Sequence, residues 1–183
     1  MTNLKNYLEA KVNSRGNKNL NYLSSFFSET ELAILSNKTI SIVGTNGKSS
    51  TANNIAMLLK GLDKSYIAFT SPHLFDYKER MTAHKDLNFD EYIQYLENFE
   101  LKNNINLGYF ESTFLIAAKA FLHNDMDYFI CEAGIGGKYD TTSVIQSKTV
   151  VLTSIGLDHT DILGNKITDI SVSYTHLTLP TTD

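Results

Sequence analysis

The stretch Ile40–Thr51 carries the residue types and spacing of a loop that binds phosphate groups. Gly44 and Gly47 flank a short loop that follows an apolar run and precedes Lys48 and three hydroxyl residues. Such a loop can turn its backbone N–H groups toward an anion at the start of the next helix. The lysine would reach the outer phosphates of a nucleotide, and a hydroxyl after it would hold Mg²⁺. The general pattern G-x-x-x-x-G-K-[ST] has glycine where this chain has Ile42, so a glycine-rich turn with an exposed lysine stays open as the alternative.

Further polar side chains follow three other apolar runs, and they could add ligands to the same site. Ser71, Glu132 and the pair Asp158 and His159 each come after such a run. A carboxylate and hydroxyls are hard oxygen ligands of the kind that divalent cations prefer. Simpler roles remain open: Glu132 as a helix cap or surface acid, Ser71 as a turn residue before Pro72, and Asp158 as a helix cap. Imidazole is a poor ligand for Mg²⁺, so His159 by itself favours an orienting or hydrogen-bonding role.

Alternating apolar runs and helical patterns predict the elements that hold these side chains. Helices are expected over 2–12, over 20–36 as one or two segments, over 49–60 with a stop at Gly61, near 88–99 after a cap at Asn88, over 110–123, and after Thr160. The polar stretch 75–87 is predicted to be a surface loop. The predicted strands are Ile40–Val43, Ser65–Phe69, Tyr128–Cys131 and Val150–Ser154.

This order of elements predicts an α/β fold, with a mostly parallel sheet flanked by helices on both faces. In such sheets ligands collect at the carboxyl ends of the strands. The lysine loop, Ser71, Glu132 and the pair Asp158 and His159 all follow strands, so we expect them to lie at one edge of the sheet. Their convergence is the strongest argument for a nucleotide site that the residues provide.

Composition narrows the class of protein. The chain has 183 residues, 42% of them hydrophobic and 20% charged, which is typical of a globular domain. The formal net charge of −4, with scattered Lys and Arg, argues against a nucleic-acid surface. The single Cys131 excludes a disulfide framework. No signal peptide or membrane-spanning run is apparent, which favours a cytoplasmic protein without a membrane partner.

Five motifs, in this order, resemble the folylpolyglutamate synthase/dihydrofolate synthase family of Mur-type ATP-dependent amide ligases. They are G-T-N-G-K at 44–48, T-S-P-H-L at 70–74 with E-R at 79–80, Y-F-E at 109–111, E-A-G-I-G-G-K-Y-D at 132–140 and T-S-I-G-L-D-H-T at 153–160. The resemblance implies that ATP phosphorylates a carboxylate of a pteridine-bearing substrate, folate or dihydropteroate. The amine of L-glutamate then attacks the acyl phosphate. It also implies Mg²⁺ as a cofactor, and we expect a monomer that acts on small molecules.

The resemblance assigns roles by position. The implied ATP-binding residues are Gly44, Thr45, Asn46, Gly47, Lys48, Ser49 and Ser50. The implied metal ligands are Ser50, Ser71, Glu132 and His159. The resemblance thus makes His159 a metal ligand, although imidazole by itself is a poor ligand for Mg²⁺. The implied substrate-binding residues are Ser71, Pro72, His73, Leu74, Glu79 and Arg80, and the implied catalytic residues are Lys48, Glu132 and His159.

Two departures from the family pattern bear on these roles. The family has glycine after the lysine, and this chain has Ser49, which restores the ordinary order K-[ST] and competes with Ser50 for the metal. The family also continues into a segment with a carbamylated lysine, near where this chain has Tyr174. We therefore expect a helical segment over 1–38, a partial ATP-binding domain over 39–172, a non-native tail over 173–183 and no C-terminal domain.

Such a fragment is predicted to bind ATP weakly and to form no amide. Two other functions stay open as alternatives to a folate-type ligase: a cell-wall Mur ligase, and a P-loop ATP-binding module without ligase activity. The 43 residues before Gly44 argue against the cell-wall enzymes, in which a UDP-binding domain normally precedes the loop.

Overall fold

The computed structural model describes residues 3–12, 20–134 and 140–157. The helices are α1 (Leu4–Lys11), α2 (Leu20–Ser24), α3 (Glu29–Lys38), α4 (Lys48–Gly61), α5 (Ile93–Asn103) and α6 (Tyr109–His123). The strands are β1 (Thr39–Val43), β2 (Tyr66–Phe69), β3 (Met81–Ala83), β4 (Tyr128–Glu132) and β5 (Thr149–Leu152). Three short 3₁₀ turns cover Tyr77–Arg80, Phe89–Tyr92 and Thr141–Val144.

The five strands form one sheet in the order β3-β2-β4-β1-β5. β1 pairs in parallel with both β4 and β5, and β2 pairs in parallel with β4. The apolar runs of β2 and β4 suit positions that helices cover on both faces of a parallel sheet. The predicted α/β fold with a mostly parallel sheet is confirmed.

Helices cover the sheet on both faces. The larger core lies between the sheet and the side that holds α1, α5 and α6, and it includes Phe69, Phe114 and Phe129. A smaller core packs α4 against the sheet through Ala52 and Ala56. α6 is buried along almost its whole length, in keeping with the aromatic stripe that the sequence assigns to the core. No helix in the described ranges has both the length and the apolar character that crossing a bilayer requires.

The stretch 75–87 was wrongly predicted to be a loop throughout. It contains a 3₁₀ turn and the edge strand β3, which pairs antiparallel with β2. An edge strand of three residues needs few buried side chains, and only Met81 of β3 is buried, so no alternating pattern appears in the sequence.

Two predicted helix boundaries also differ. Gly61 is the last residue of α4 rather than its stop, and the chain leaves the helix at Leu62 before Asp63, which has a φ of 55°. Asn88 does act as an N-cap, with its side chain accepting from the Asp90 amide, but it caps the 3₁₀ turn that leads into α5. The helix predicted after Thr160 lies outside the described residues.

Candidate phosphate and metal site

The loops that carry the predicted site residues meet at the carboxyl edge of three neighbouring strands. β4 lies between β2 and β1 in the sheet. Ile42 of β1 is in register with Glu132 of β4, and Phe69 of β2 is in register with Cys131. The topology therefore brings the loop after β1, the loop after β2 and Glu132 together, although up to 88 residues separate them in sequence (44 to 132).

Glycine is required at two positions in the loop after β1. Gly44 has a φ of 135°, and a Cβ there would lie 2.3 Å from Thr153 Oγ1 and 2.8 Å from the Ser154 carbonyl oxygen. Gly47 has a φ of 84° and is the N-cap of α4, where no side chain caps the helix. The first amides of α4 therefore have no side-chain acceptor at the N-cap, which leaves them available to an anion.

The loop after β5 supports the loop after β1 from the neighbouring strand. The Thr45 amide donates to the Ser154 carbonyl at 2.9 Å, and the Asn46 amide donates to Ser154 Oγ at 2.9 Å. Thr153 Oγ1 donates to the Asn46 carbonyl at 2.7 Å, and the Gly156 amide donates to Thr45 Oγ1 at 2.9 Å. Thr153 and Ser154, which begin the motif at 153–160, thus hold the phosphate loop in place.

Lys48 folds back over the loop that precedes it. Its Nζ donates to the Gly44 carbonyl at 2.8 Å and to the Thr45 carbonyl at 3.3 Å. No carboxylate of the described residues forms an ion pair with it. The ammonium is therefore held at the loop by weak neutral acceptors, which phosphate oxygens can replace.

Glu132 is the buried charge at the centre of this edge, with 2% of its surface exposed. It is the last residue of β4 rather than the first residue after it. Its Oε1 accepts from Ser49 Oγ at 2.9 Å, and its Oε2 accepts from the Ser71 amide at 3.1 Å. Burial raises the pKa of Glu132, and the hydrogen bonds from Ser71 and Ser49 and the charges of Lys48 and Arg80 oppose that rise.

The structure separates the two serines that compete for a metal. Ser49 Oγ lies on the Glu132 carboxylate, whereas Ser50 is exposed on the next position of α4. Among the described ranges no group of three or more His, Cys, Asp and Glu side chains forms a metal site. Asp158 and His159 lie outside the described residues. The metal roles of Ser50, Ser71, Glu132 and His159 stay predictions.

The loop after β2 is organised by one carboxylate. Glu79 accepts hydrogen bonds from the amides of Leu74, Phe75 and Asp76 at 2.8 to 2.9 Å. These bonds, that from Leu74 first, lower the pKa of Glu79. Leu74 and Phe75 at the tip expose 83% and 94% of their surfaces. The loop begins at a cis Ser71–Pro72 peptide bond, next to the Ser71 amide that contacts Glu132, and its tip is apolar and exposed.

Three side chains form a cluster at the base of this loop. Arg80 Nε donates to His73 Nδ1 at 2.8 Å, and the Arg80 guanidinium lies 5.1 Å from the centre of the Tyr109 ring. The His73 ring stacks on Tyr109 with 5.9 Å between ring centres. Tyr109 had no predicted role, although it is the first residue of the quoted Y-F-E motif. That motif was the signal that could have placed it in the site.

Comparison with known families decides the relationship of the chain. Residues 42–173 match the Mur ligase middle domain. The chain belongs to the Mur ligase family. This match begins in β1 and covers the phosphate loop, Glu132 and the loop after β5.

Relatives of this Mur ligase chain carry the folate-type name. A dihydrofolate synthase/folylpolyglutamate synthase of Buchnera aphidicola from Schizaphis graminum is 37% identical over 166 residues, which cover 86% of this chain and 38% of that protein. The protein of the same name from Escherichia coli K12 is 34% identical over 125 residues, covering 67% and 30%. The chain thus spans less than half the length of the curated relatives it matches.

Solved structures agree with the Mur ligase fold. E. coli FolC in complex with DHPP and ADP has a TM-score of 0.80 at 29% identity and covers 93% of this chain and 42% of its own. Mycobacterium tuberculosis folylpolyglutamate synthase complexed with ADP has a TM-score of 0.77 at 27% identity, covering 98% and 42%. The predicted resemblance to this family is confirmed.

A separate cavity of about 710 Å³ lies beside the edge strand β3. It is lined by residues of 3–5, 76–78 and 81–90. Neither the phosphate loop nor Glu132 lines it, so this cavity is separate from the candidate phosphate and metal site.

Proposed function

We propose that this chain is the nucleotide-binding part of a Mur ligase that uses ATP to join L-glutamate to a folate-type carboxylic acid. One observation carries the proposal: Glu132 accepts from Ser49, beside the phosphate-loop lysine, and from Ser71, in the loop after β2. That arrangement places a carboxylate between a loop suited to phosphates and a loop suited to a second substrate. The folate-type names of the relatives, and the ADP and DHPP in one neighbour's title, support it.

The loop after β1 would bind the nucleotide. The uncapped amides of α4 and the Lys48 ammonium would neutralise the charge that builds on the transferred phosphoryl group. Lys48 would leave the carbonyl oxygens of Gly44 and Thr45 for the phosphate oxygens, because an ion pair is stronger than a bond to a neutral acceptor.

The oxygen ligands at Glu132 fit Mg²⁺. The Glu132 carboxylate and the Ser49 hydroxyl are hard donors already 2.9 Å apart, at the start of α4. A bound Mg²⁺ would supply charge neutralisation between phosphate oxygens. Its binding would favour the ionised Glu132 and so oppose the effect of burial on its pKa.

The reaction would proceed in two transfers. A carboxylate oxygen of the folate-type substrate attacks the γ-phosphorus of ATP, and ADP leaves. The α-amine of glutamate then attacks the acyl carbon and the amide bond forms. Phosphate leaves with the electron pair of the acyl C–O bond, and the proton that the amine nitrogen loses passes to the departing phosphate or to water. The described residues would position the first transfer, with Lys48 on the phosphate side and the loop after β2 on the carboxylate side.

Lys48→Ala tests the nucleotide site directly. We expect the wild-type chain to bind ADP in a calorimetric titration with Mg²⁺ present, and Lys48→Ala to weaken binding by about tenfold or more, because a charge-assisted contact is lost. Lys60→Ala is the matched control, since Lys60 lies exposed at the far end of the same helix.

The controls separate charge from position. Equal loss of ADP binding in Lys48→Ala and Lys60→Ala would point to net charge alone and would contradict the proposed loop. Glutamate ligation should be assayed in the same preparations. Product formed by this chain alone would contradict the sequence-based prediction that it makes no amide.

A further inference from the structure

The outer side of the edge strand β3 has no partner strand among the described residues. β3 stands at one end of the strand order, and β2 is its single neighbour there. The cavity of about 710 Å³ is lined by all three residues of β3 and by no residue of β2, so it lies on the outer side. The backbone of β3 therefore borders a groove instead of another element.

The backbone groups of β3 alternate between β2 and this groove. The His84 amide donates to the Tyr66 carbonyl in β2 at 3.1 Å. Because successive residues of a strand point their backbone groups to opposite sides, Thr82 also faces β2, whereas Met81 and Ala83 face outward. The Ala83 amide and the Met81 carbonyl are thus a donor and an acceptor directed toward the groove.

Charged side chains of both signs flank β3, with a spacing that is inverted about Thr82. Lys78 lies four residues before Thr82, and Asp86 lies four residues after it. Both are exposed, and neither takes part in an ion pair within the described ranges. Lysine beside a short edge strand opposes indiscriminate pairing. A partner strand that brings an aspartate to Lys78 would instead be favoured.

The mixture of charges in the groove fits a second copy of the same surface better than a partner of one charge sign. Three lysines and three aspartates line it: Lys5, Lys78, Lys85, Asp76, Asp86 and Asp90. Its half-buried apolar lining includes Tyr77, Leu87 and Phe89, which pack against the larger core. A polyanion such as a nucleic acid would need an excess of cations. A two-fold dimer needs a patch that is complementary to itself.

We propose that β3 pairs antiparallel with β3 of a second copy, about a two-fold axis at Thr82. In that register Met81 of one copy faces Ala83 of the other, so each Ala83 amide donates to a Met81 carbonyl and two equivalent hydrogen bonds form. The end of the strand with Lys78 meets the end with Asp86, twice by symmetry. This dimer differs from the monomer expected from the sequence. β2 and β4 lie between β3 and β1, so the contact lies away from the phosphate loop.

Sedimentation equilibrium of the 183-residue chain tests the dimer. We expect the wild-type mass to rise reversibly with concentration from 20.5 kDa toward twice that value. Lys78→Glu and Asp86→Lys each replace two attractive pairs by two repulsive ones, and each should weaken association by about tenfold or more. The double variant exchanges the two charges and should restore association to within about threefold of the wild type.

Further variants separate the backbone contact from net charge. Ala83→Pro removes the outward amide without removing a hydrogen bond to β2, and it should abolish association. Lys60→Glu makes the same charge change as Lys78→Glu on an exposed residue of α4 and should leave association unchanged. Melting temperatures show whether each variant folds, and the exchanged pair of charges decides the question if Ala83→Pro unfolds. The Ala83 amide of the wild type should also exchange more slowly at high chain concentration.

Three outcomes would overturn the inference. The first is a wild-type mass that stays at 20.5 kDa at every concentration. The second is a dimer of equal strength in the wild type and in both single variants, which would lie on another surface. The third is a double variant as weak as the single ones, which would mean that Lys78 and Asp86 do not meet. ADP binding should be the same in all these variants, and its absence in the wild type would count against the proposed function alone.

Discussion

The loops after β1 and β2 both lie next to Glu132, through Ser49 and the Ser71 amide, yet they are held in different ways. The loop after β1 is held from outside, by several separate hydrogen bonds from Thr153, Ser154 and Gly156 and by the close fit of Gly44. The tip of the loop after β2 is held from within, by the carboxylate of Glu79 on three successive amides. The first loop depends on backbone shape, and the tip of the second depends on one ionised group.

This difference fits the ligands that the two loops are proposed to take. A phosphate site built from backbone amides needs a fixed backbone, since the amides themselves are the contacts. A substrate loop instead needs a fixed frame that presents side chains, here His73, Leu74 and Phe75. A few substitutions can test whether the loop after β1 depends on backbone shape and the loop after β2 on the Glu79 carboxylate.

The largest effect is expected for Gly44→Ala, because this substitution changes the backbone shape of the loop after β1. The added Cβ would meet Thr153 Oγ1 at 2.3 Å, and the φ of 135° suits glycine alone. We expect the free energy of unfolding to fall by about 1–3 kcal/mol from backbone strain, and ADP binding to be lost. Urea unfolding and calorimetry check the two effects.

Gly61→Ala is the control for that substitution. Gly61 is helical and nothing lies within 4 Å of a Cβ built there. The same chemical change should therefore be neutral or should stabilise the chain by up to about 1 kcal/mol. A Gly44→Ala chain that kept ADP binding and stability would show that the loop after β1 does not depend on backbone shape.

The next effect concerns Glu79, whose pKa is lowered in the folded chain by its three amide donors. A lowered folded pKa means that the stabilisation is fully present above the unfolded value of about 4.3 and is lost as the pH falls through the folded pKa. Protection of the Leu74, Phe75 and Asp76 amides from exchange should therefore be high at neutral pH and should be lost only in acid, as the pH falls below the unfolded value and through the lowered folded pKa.

Glu79→Gln should expose the same three amides at every pH, because the neutral side chain accepts more weakly. Amides of the loop after β1 should keep their protection in that variant. Persistent protection of Leu74 to Asp76 in Glu79→Gln would mean that the frame of the loop after β2 does not depend on the carboxylate.

The smallest effect is expected for Ser154→Ala. The Asn46 amide would lose the Ser154 hydroxyl, but the bond from the Thr45 amide to the Ser154 carbonyl would remain. We expect the free energy of unfolding to fall by about 0.5–1 kcal/mol in urea titrations and ADP affinity to change little. A loss as large as that of Gly44→Ala would show that this loop, too, depends on a single group.

The edge of the sheet that carries the site was predictable, because strand ends follow from apolar runs and the parallel order follows from alternation with helices. Glu132 and the loop with Lys48 were both predicted at this edge, and the structure brings Glu132 and Ser49, the residue after Lys48, together there. The edge strand β3 was missed because three residues with one buried side chain carry no period. The supporting role of Thr153 and Ser154 was missed because hydrogen bonds across more than 100 residues leave no local signal.

By itself, the sequence determined the type of fold, the phosphate loop and the family resemblance, since each is written in local spacing and in the order of motifs. Only the tertiary structure decided which groups share a site. It placed Ser49 rather than Ser50 on the Glu132 carboxylate and joined Arg80 to Tyr109 through His73. The physical reason is that the partner of a side chain depends on how its helix or loop packs against the neighbouring elements, which residue spacing does not encode.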